Sequence, residues 1–220
     1  MIKGAIFDFN GTLYDDSAIH TEVWRQIYED LTEGKGDFSK FEDGLIGSHN
    51  KTLIDRIYAE LGKDISLKEN DRLSEYKEEL YRKYSIEHDL CHLITGAERL
   101  LDEMKERGIK LILCSASIAA NIDFFFKEFH IGRWFLREDV VYDDGTCHDK
   151  RKMYIEAARR IAVPVEECLI FEDSDYGVSC ALANKAKVIL IDKTGTKKKI
   201  DGIIQIVKNY DEVDRHLIFD

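Results

Sequence analysis

The stretch KGAIFDFNGTLYDD, which runs from Lys3 to Asp16, decides how the rest of this 220-residue chain is interpreted. Its apolar residues 5–7 predict a strand that is buried on both faces, and Asp8 follows the strand directly, before the turn sequence NGT at residues 10–12. The carboxyl ends of strands in open α/β sheets border the ligand crevice, so Asp8 is predicted to lie where chemistry takes place. An ordinary strand followed by an Asn-Gly turn remains an alternative from these residues alone.

Two later stretches repeat the pattern of an apolar strand that ends in a polar residue. Residues 109–115 (IKLILCS) end in a serine, and residues 168–174 (CLIFEDS) contain the acidic pair Glu172 and Asp173. Between the two predicted strands, the sequence HDKRK at residues 148–152 supplies two lysines. Aspartate, serine, lysine and an acidic pair therefore follow one another along the chain, each next to a predicted strand or helix.

This order resembles the four-motif signature of the haloacid dehalogenase (HAD) superfamily, and most closely its β-phosphoglucomutase and sugar-phosphatase branch. The branch's opening motif D-x-D-G-T/V is here DFNGT at residues 8–12, and its E-D-S-x-x-G-(V/I) is EDSDYGV at residues 172–178. The sequence SAS at residues 115–117 resembles the second motif of the mutases. The sequence departs from the pattern at Asn10, where phosphatases and mutases of the family usually carry a second aspartate.

The hydrophobic periodicity predicts two kinds of architecture. Residues 15–91 have apolar positions at three- and four-residue spacing and read as helical, whereas helices and strands alternate after Gly96. We therefore expect an α/β core, a Rossmann-like parallel sheet with helices on both faces, formed by residues 1–14 and 92–220. The helical residues 15–91 are then an insert after the first strand, and the resemblance implies that they form a cap that selects the substrate. Residues 134–145 are predicted to be irregular.

Composition limits the possible partners. The chain carries a formal net charge of −11, which disfavours nucleic acid and anionic membranes because both require a basic surface. No apolar run approaches the roughly 20 residues that span a bilayer, and no leader segment is recognised, so a cytoplasmic location is expected. The five cysteines are odd in number and lack C-x-x-C spacing, which indicates neither a disulfide framework nor a zinc site. The lysine-rich stretch at residues 193–199 (KTGTKKK) is interpreted as a solvated loop in preference to an anion site.

The resemblance implies a phosphoryl-transfer site that uses Mg²⁺. Asp8 would be the nucleophile and would also bind the metal, together with the backbone carbonyl of Asn10 and the carboxylate of Asp173. Glu172 is a weaker candidate for a metal ligand and is expected to lie behind the ligands. Because an amide cannot transfer a proton near neutral pH, Asn10 is expected to keep its carbonyl ligand role but to lack the acid–base function.

Four further residues are predicted to contact phosphate. Ser115 would bind a phosphate oxygen together with the backbone at Ala116, in the turn where the strand leads into a helix, and Thr12 belongs to the same substrate-binding set. For the lysine of the third motif, Lys150 is favoured over Lys152. An ungapped alignment places His148 at that position instead.

Two residues of the predicted cap, His20 and Trp24, match positions that β-phosphoglucomutases also fill with histidine and tryptophan, so the resemblance implies that both bind substrate. Instead of contacting substrate, His20 could be a hydrogen-bonded helix residue and Trp24 a core residue. The arginine by which the mutase cap holds a distal phosphate is missing, since the sequence there is GLIGSHNKTL.

Together, these observations predict a Mg²⁺-dependent phosphatase that acts on a small phosphorylated metabolite, such as a sugar phosphate. A phosphomutase is the nearest alternative. A weakly catalytic or non-catalytic phosphate-binding protein is another, because of Asn10.

Overall fold

The computed structural model describes residues 2–45, 48–146 and 149–220. The chain forms two compact units. The first comprises Met1–Asp15 and His92–Asp220, and the second comprises Asp16–Cys91.

The first unit contains a six-stranded parallel sheet with the strand order β3-β2-β1-β4-β5-β6. The strands are β1 Gly4–Phe7, β2 Lys110–Ile118, β3 Val141–Asp143, β4 Cys168–Glu172, β5 Lys187–Ile191 and β6 Ile203–Val207. In the central strand β1, Phe7 is in register with Leu113 of β2 and with Phe171 of β4. The carboxyl ends of these three strands therefore meet at one edge, as the sequence predicted for an α/β fold.

Helices cover both faces of the sheet. In this unit they are α5 Ala97–Glu106, α6 Ala119–Glu128, α7 Lys150–Arg160, α8 Asp175–Ala183 and α9 His216–Phe219. Helices α7 and α8 pack on the face that carries Ile6 and Ile170, where Ala157 and Val178 join the core. Because side chains alternate across a strand, Phe7 lies on the other face and contacts Phe135, and α5 and α6 also pack against β2. The predicted fold class, a Rossmann-like sheet with helices on both faces, is confirmed.

The second unit is helical, and its helices are α1 Ser17–Thr32, α2 Phe38–Glu42, α3 Asn50–Glu60 and α4 Leu67–Glu87. Its core is rich in aromatic residues, as shown by Tyr28 stacked on Phe41 with ring centroids 4.9 Å apart. Helix α4 is capped by the hydroxyl of Ser66, which accepts from the backbone N–H of Glu69. In the described parts of the chain, no helix is both long enough and apolar enough to cross a membrane.

Two local features differ from the sequence-based expectation. Residues 141–143 form β3 within the segment that was predicted to be irregular, and the register of its pairing with β2 shifts between Cys114 and Ile118. Strand β2 also continues through Ile118, three residues beyond its predicted end at Ser115. Ser115 therefore lies within a strand, and the turn into α6 comes later than expected.

Candidate active site

Asp8 extends the central strand by one residue at the edge where the strands end. Its backbone N–H donates to the carbonyl of Phe171 at 3.1 Å, so the pairing with β4 continues to the point where the carboxylate projects. Only 6% of Asp8 is exposed. A turn follows, in which the N–H groups of Leu13 and Tyr14 both donate to the carbonyl of Phe9. A turn therefore begins immediately after Asp8, at the carboxyl end of the central strand.

Lys150 joins two carboxylates that come from different strands. Its ammonium Nζ lies 2.6 Å from Asp8 Oδ1 and 2.8 Å from Glu172 Oε1. Lys150 is the first residue of α7, which Asp149 caps by accepting from the N–H of Arg151 at 2.9 Å. Lys152 is exposed, and His148 lies outside the described residues. Of the two described lysine candidates, the geometry thus brings Lys150 to Asp8.

Both carboxylate oxygens of Glu172 accept hydrogen bonds from neighbouring groups. Its Oε1 accepts from Lys150 and also from the Tyr154 hydroxyl at 2.7 Å, while its Oε2 accepts from the Asp173 and Ser174 N–H groups and from the Ser174 hydroxyl, each at 2.9 Å. A Cβ at Gly177 would lie 1.9 Å from Glu172 Oε1, so glycine is required there for space. Both oxygens of Glu172 are therefore committed to neighbouring protein groups.

Thr12 connects Asp8 with Asp173. Its hydroxyl lies 3.4 Å from Asp8 Oδ2 and 3.3 Å from Asp173 Oδ1. Gly11 has a φ of +74°, and a Cβ there would lie 2.1 Å from Asp173 Oδ2, so both the conformation and the close approach require glycine. The turn after Asp8 is thereby brought against the carboxylate of Asp173.

The site contains more negative charge than Lys150 can balance. Asp8, Glu172 and Asp173 each offer a carboxylate oxygen, and these atoms lie within 4.8 Å of one another. Burial raises the pKa of Asp8 to about 8, although Lys150 opposes this. Burial and the charge of Glu172 raise the pKa of Asp173 to about 6. For Glu172, burial also acts upward, but the ammonium of Lys150 and the hydrogen bonds outweigh it and hold the pKa below its usual value.

This donor set fits a hard divalent cation. Mg²⁺ takes oxygen ligands and retains several waters, so a few protein oxygens are sufficient. The oxygens of Asp8 and Asp173 meet this need, and a bound cation would lower the raised pKa values of both carboxyl groups and favour their ionised forms. The acidic cluster is therefore chemically suited to Mg²⁺.

Asn10 is held by the two serines of β2. Its Oδ1 accepts from the Ser117 hydroxyl at 2.7 Å and lies 3.5 Å from the Ser115 hydroxyl, while Ser115 Oγ accepts from the Ser117 N–H at 3.2 Å. Ser115 is buried and Ala116, on the opposite side of the strand, is exposed. The structure thus brings Ser115 and Asn10 together at the strand ends, and Ser117 is an additional residue that connects them.

The lysine-rich stretch after β5 is only partly a solvated loop. The Nζ of Lys197 donates to the Asp173 carbonyl at 2.6 Å and to Asp175 at 2.8 Å, and Lys193 pairs with Asp15. The buried carboxylate of Asp192 organises this loop, since its Oδ2 accepts from the Lys197 N–H at 2.7 Å. The interpretation from charge patterning missed these contacts with the acidic edge.

The two candidates from the helical insert have different surroundings within their own unit. His20 Nε2 lies 3.1 Å from Asp16 Oδ2, and its Nδ1 lies 2.9 Å from Lys77 Nζ. Trp24 is only 2% exposed and lies near Phe41, with ring centroids 6.2 Å apart. Trp24 is a core residue of the helical unit, and His20 belongs to a polar cluster.

Sequence reasoning also missed two tyrosines, Tyr154 and Tyr210. Tyr154 lies four residues after Lys150 on α7, so helical spacing could have placed both side chains on one face. Tyr210 donates to the carbonyl of Thr12 at 3.1 Å, across 198 positions of sequence. No local pattern signals a contact of that range.

The fold and site define an α/β protein with an acidic centre at the carboxyl edge of a parallel sheet. The chain belongs to the haloacid dehalogenase-like hydrolases, because the model of that family matches residues 2–183. The family recognised from the sequence is thereby confirmed.

Individual relatives agree with this membership. A crystal structure of an HAD hydrolase of family IA, variant 3, from Entamoeba histolytica has a TM-score of 0.87 and 27% identity, with 98% of this chain and 96% of that chain covered. The Bacillus subtilis protein YhcW, whose name describes a phosphatase, is 26% identical over 89% of this chain and 87% of its own length. A bifunctional riboflavin kinase/FMN phosphatase from Arabidopsis thaliana is 30% identical over 54% of this chain, which spans only 32% of that longer protein.

Proposed function

We propose that this protein is a Mg²⁺-dependent phosphatase that hydrolyses a small phosphorylated metabolite, with a sugar phosphate as the preferred class. The observation that carries the proposal is the placement of Asp8. One of its carboxylate oxygens is bound by Lys150, and the other lies 3.4 Å from the Thr12 hydroxyl. A buried carboxylate beside surplus negative charge is suited to attack a phosphorus atom once a cation is present.

The proposed reaction has two steps. Asp8 attacks the phosphorus of the ester, a bond forms between phosphorus and the carboxylate oxygen, and the bond to the alcohol oxygen breaks. The alcohol leaves with a proton from solvent. Water then attacks the aspartyl-phosphate, phosphate departs, and Asp8 is regenerated. When bound, Mg²⁺ would neutralise charge on the phosphate oxygens, and Asp8, Asp173 and the carbonyl of Asn10 would hold it.

Lys150 and Glu172 have supporting roles in this scheme. Lys150 would bind a phosphate oxygen while it fixes Asp8, because its ammonium already lies within hydrogen-bond distance of the nucleophile. We assign Glu172 to orienting Lys150 and the Asp173 backbone rather than to the metal, since its oxygens accept from five donors. This assignment refines the prediction that Glu172 lies behind the ligands.

Further contacts to substrate come from hydroxyls and from the helical unit. The hydroxyls of Ser115 and Thr12, with the backbone at Ala116, would bind the remaining phosphate oxygens. We infer that residues 16–91 act as a cap that selects the leaving group, with His20 as its candidate contact. Trp24 would support that contact from the core of the unit.

Asn10 is expected to lower the turnover of the reaction. Its amide lacks a transferable proton, so proton transfer to the leaving oxygen must come from solvent and turnover is reduced. The phosphatase names of the Bacillus and Arabidopsis relatives support hydrolysis of a phosphate ester in preference to binding alone. A mutase would be recognised by an isomerised sugar phosphate in place of free phosphate.

The test is a screen of sugar phosphates and FMN for phosphate release, with and without Mg²⁺. We expect release only with Mg²⁺, loss of turnover on the order of 10⁴-fold in Asp8→Asn, and loss of the Mg²⁺ response in Asp173→Ala. Lys152→Ala provides the control for the purified variants, because Lys152 is exposed. Turnover of any ester at the unmodified rate by Asp8→Asn would show that another group is the nucleophile.

A further inference from the structure

The end of the chain, residues 184–220, lies beyond the region that the family model matches, yet it reaches the candidate site. We propose that Tyr210 is a positioning residue for the reaction at Asp8 and acts through the backbone of Thr12. This inference rests on the proposed phosphatase function, and the experiments below distinguish failure of the inference from failure of that function.

The contact that carries the inference joins two fully buried residues. The hydroxyl of Tyr210 donates to the carbonyl of Thr12 at 3.1 Å, and both residues have an exposed fraction of 0%. The side-chain hydroxyl of Thr12 in turn lies within 3.4 Å of Asp8 Oδ2 and 3.3 Å of Asp173 Oδ1. One phenol therefore fixes the residue that touches both the proposed nucleophile and a proposed metal ligand.

Tyr210 is itself held in place by packing and hydrogen bonds. Its N–H donates to the Thr95 carbonyl at 2.9 Å, and its carbonyl accepts from Arg215 Nη1 at 2.9 Å. Its ring lies beside that of Phe171 with centroids 5.7 Å apart, and Phe171 stacks on Phe7 of the central strand at 4.4 Å. The hydroxyl is thus presented from a rigid support.

The hydrogen bond persists across the working pH range of an enzyme. Burial raises the pKa of Tyr210 well above its ordinary value, and the charges of Asp8 and Asp173 act in the same direction. The phenol therefore remains a donor. A buried carbonyl that loses its donor is costly, so the turn at residues 9–14 would rearrange if the hydroxyl were removed.

The experiment uses Tyr210→Phe, which removes the hydroxyl and keeps the ring. We expect kcat to fall about tenfold while KM changes less than twofold, because the substrate still binds but the carboxylates are misplaced. The matched control is Tyr28→Phe in the helical unit, where a buried tyrosine donates to Glu60 Oε1 at 2.5 Å. If Tyr210→Phe lowers kcat no more than Tyr28→Phe does in an active protein, the inference is wrong and the proposed function stands.

A double-mutant cycle tests whether the effect passes through Thr12. In a Thr12→Ala background, Tyr210→Phe should lower kcat by less than about twofold, because the hydroxyl that it positions is already absent. Fully additive effects would contradict action through Thr12. They would point to a general loss of packing instead.

Hydrogen exchange tests whether the Tyr210 hydroxyl holds the turn at residues 9–14, and this measurement does not require phosphatase activity. Tyr210→Phe should speed exchange of the backbone amides of residues 9–14 by about fivefold or more relative to Tyr28→Phe. If no phosphate ester is hydrolysed by the unmodified protein, the proposed function fails and this measurement alone applies. Equal exchange in the two variants would overturn the positioning role.

Discussion

Each unit of the molecule buries a lysine, and the two lysines have different surroundings. Lys150 in the α/β unit bridges Asp8 and Glu172, which lie on separate strands. Lys77 in the helical unit contacts its sequence neighbour Glu78 at 2.9 Å, and its other close partner is an imidazole nitrogen. Lys77 is only 2% exposed and Lys150 is 7% exposed, so burial alone does not distinguish them.

What distinguishes the two lysines is the charge of their partners. Lys77 contacts one carboxylate, that of Glu78, and the imidazole of His20 on α1. Lys150 instead lies between the carboxylates of Asp8 and Glu172, which come from two other segments of the chain. The α/β cluster also includes the nearby carboxylate of Asp173, and the pKa values of Asp8 and Asp173 are both raised. A buried charge alone is compatible with a purely structural role. Unbalanced buried charge at the carboxyl edge of the sheet is instead typical of a functional site.

The largest effect is expected from Asn10→Asp, which supplies the α/β cluster with a group that can transfer a proton. We expect phosphatase turnover to rise by on the order of 10²–10⁴-fold, because Asp has nearly the shape of Asn and its carboxyl group can transfer the proton that the amide cannot. Steady-state phosphate release on the best substrate of the screen measures the change.

Two controls accompany this substitution. Intact-mass and peptide analysis must show that Asn10 has not deamidated, since Gly11 follows it. Ser117→Ala serves as the matched variant, because it removes the 2.7 Å hydrogen bond to Asn10 without adding an acid. A gain below about threefold in undeamidated protein would show that position 10 is not the acid–base group here.

Lysine substitutions compare the two units directly. Lys150→Met should reduce turnover by on the order of 10²–10³-fold, because it removes the cation beside the proposed nucleophile Asp8, whereas Lys152→Met in the same helical turn should have little effect. Lys77→Met should instead lower the free energy of unfolding by about 2 kcal/mol, since Glu78 loses its ammonium contact but still accepts from the Asn50 amide at 2.7 Å. Equal loss of turnover in Lys150→Met and Lys152→Met would refute the assigned contact.

The smallest expected effect is on the pH dependence of the free energy of unfolding of the metal-free protein. The folded pKa values of Asp8, about 8, and Asp173, about 6, lie above the ordinary 3.8, so the folded state binds more protons than the unfolded state between pH 4 and pH 8. This contribution to stability is fully present below pH 4 and is lost as pH rises toward 8. We expect the free energy of unfolding, measured with urea in the presence of EDTA, to fall as pH rises from about 5 to about 7. The fall should be about 2 kcal/mol smaller in Asp8→Asn than in the unmodified protein. Identical pH dependence in both proteins would mean that Asp8 ionises normally.

Much of the fold was predictable because each strand at the site ends at a residue that interrupts an apolar run. The abrupt change after Phe7 and the pair Glu172-Asp173 both mark the sheet edge, and the fold class and family are confirmed. Strand β3 was missed because its three residues are too few to give a periodic signal. The end of β2 was placed too early because Ser115 was assumed to begin the turn.

The site itself was predictable only as far as its motifs extend. Asp8, Lys150, Glu172 and Asp173 were selected in advance and lie together, although their roles remain predictions. The contacts of Tyr210 and Lys197 with Thr12 and Asp173 could not be foreseen. They arise from how loops after β5 and β6 return to the sheet edge, which depends on tertiary packing and not on local sequence.

The turn that begins at Asp8 also brings together the points where the helical insert leaves and re-enters the α/β unit. Tyr14 forms an antiparallel bridge with Leu93, and the Ile94 N–H donates to the Leu13 carbonyl at 2.8 Å. Because these ends are already clamped side by side, replacing residues 16–91 by a segment twice as long would add only about 0.6 kcal/mol of loop-closure cost. The sheet can therefore accommodate inserts of very different size at this position at little entropic cost, while the residues at its carboxyl edge stay the same.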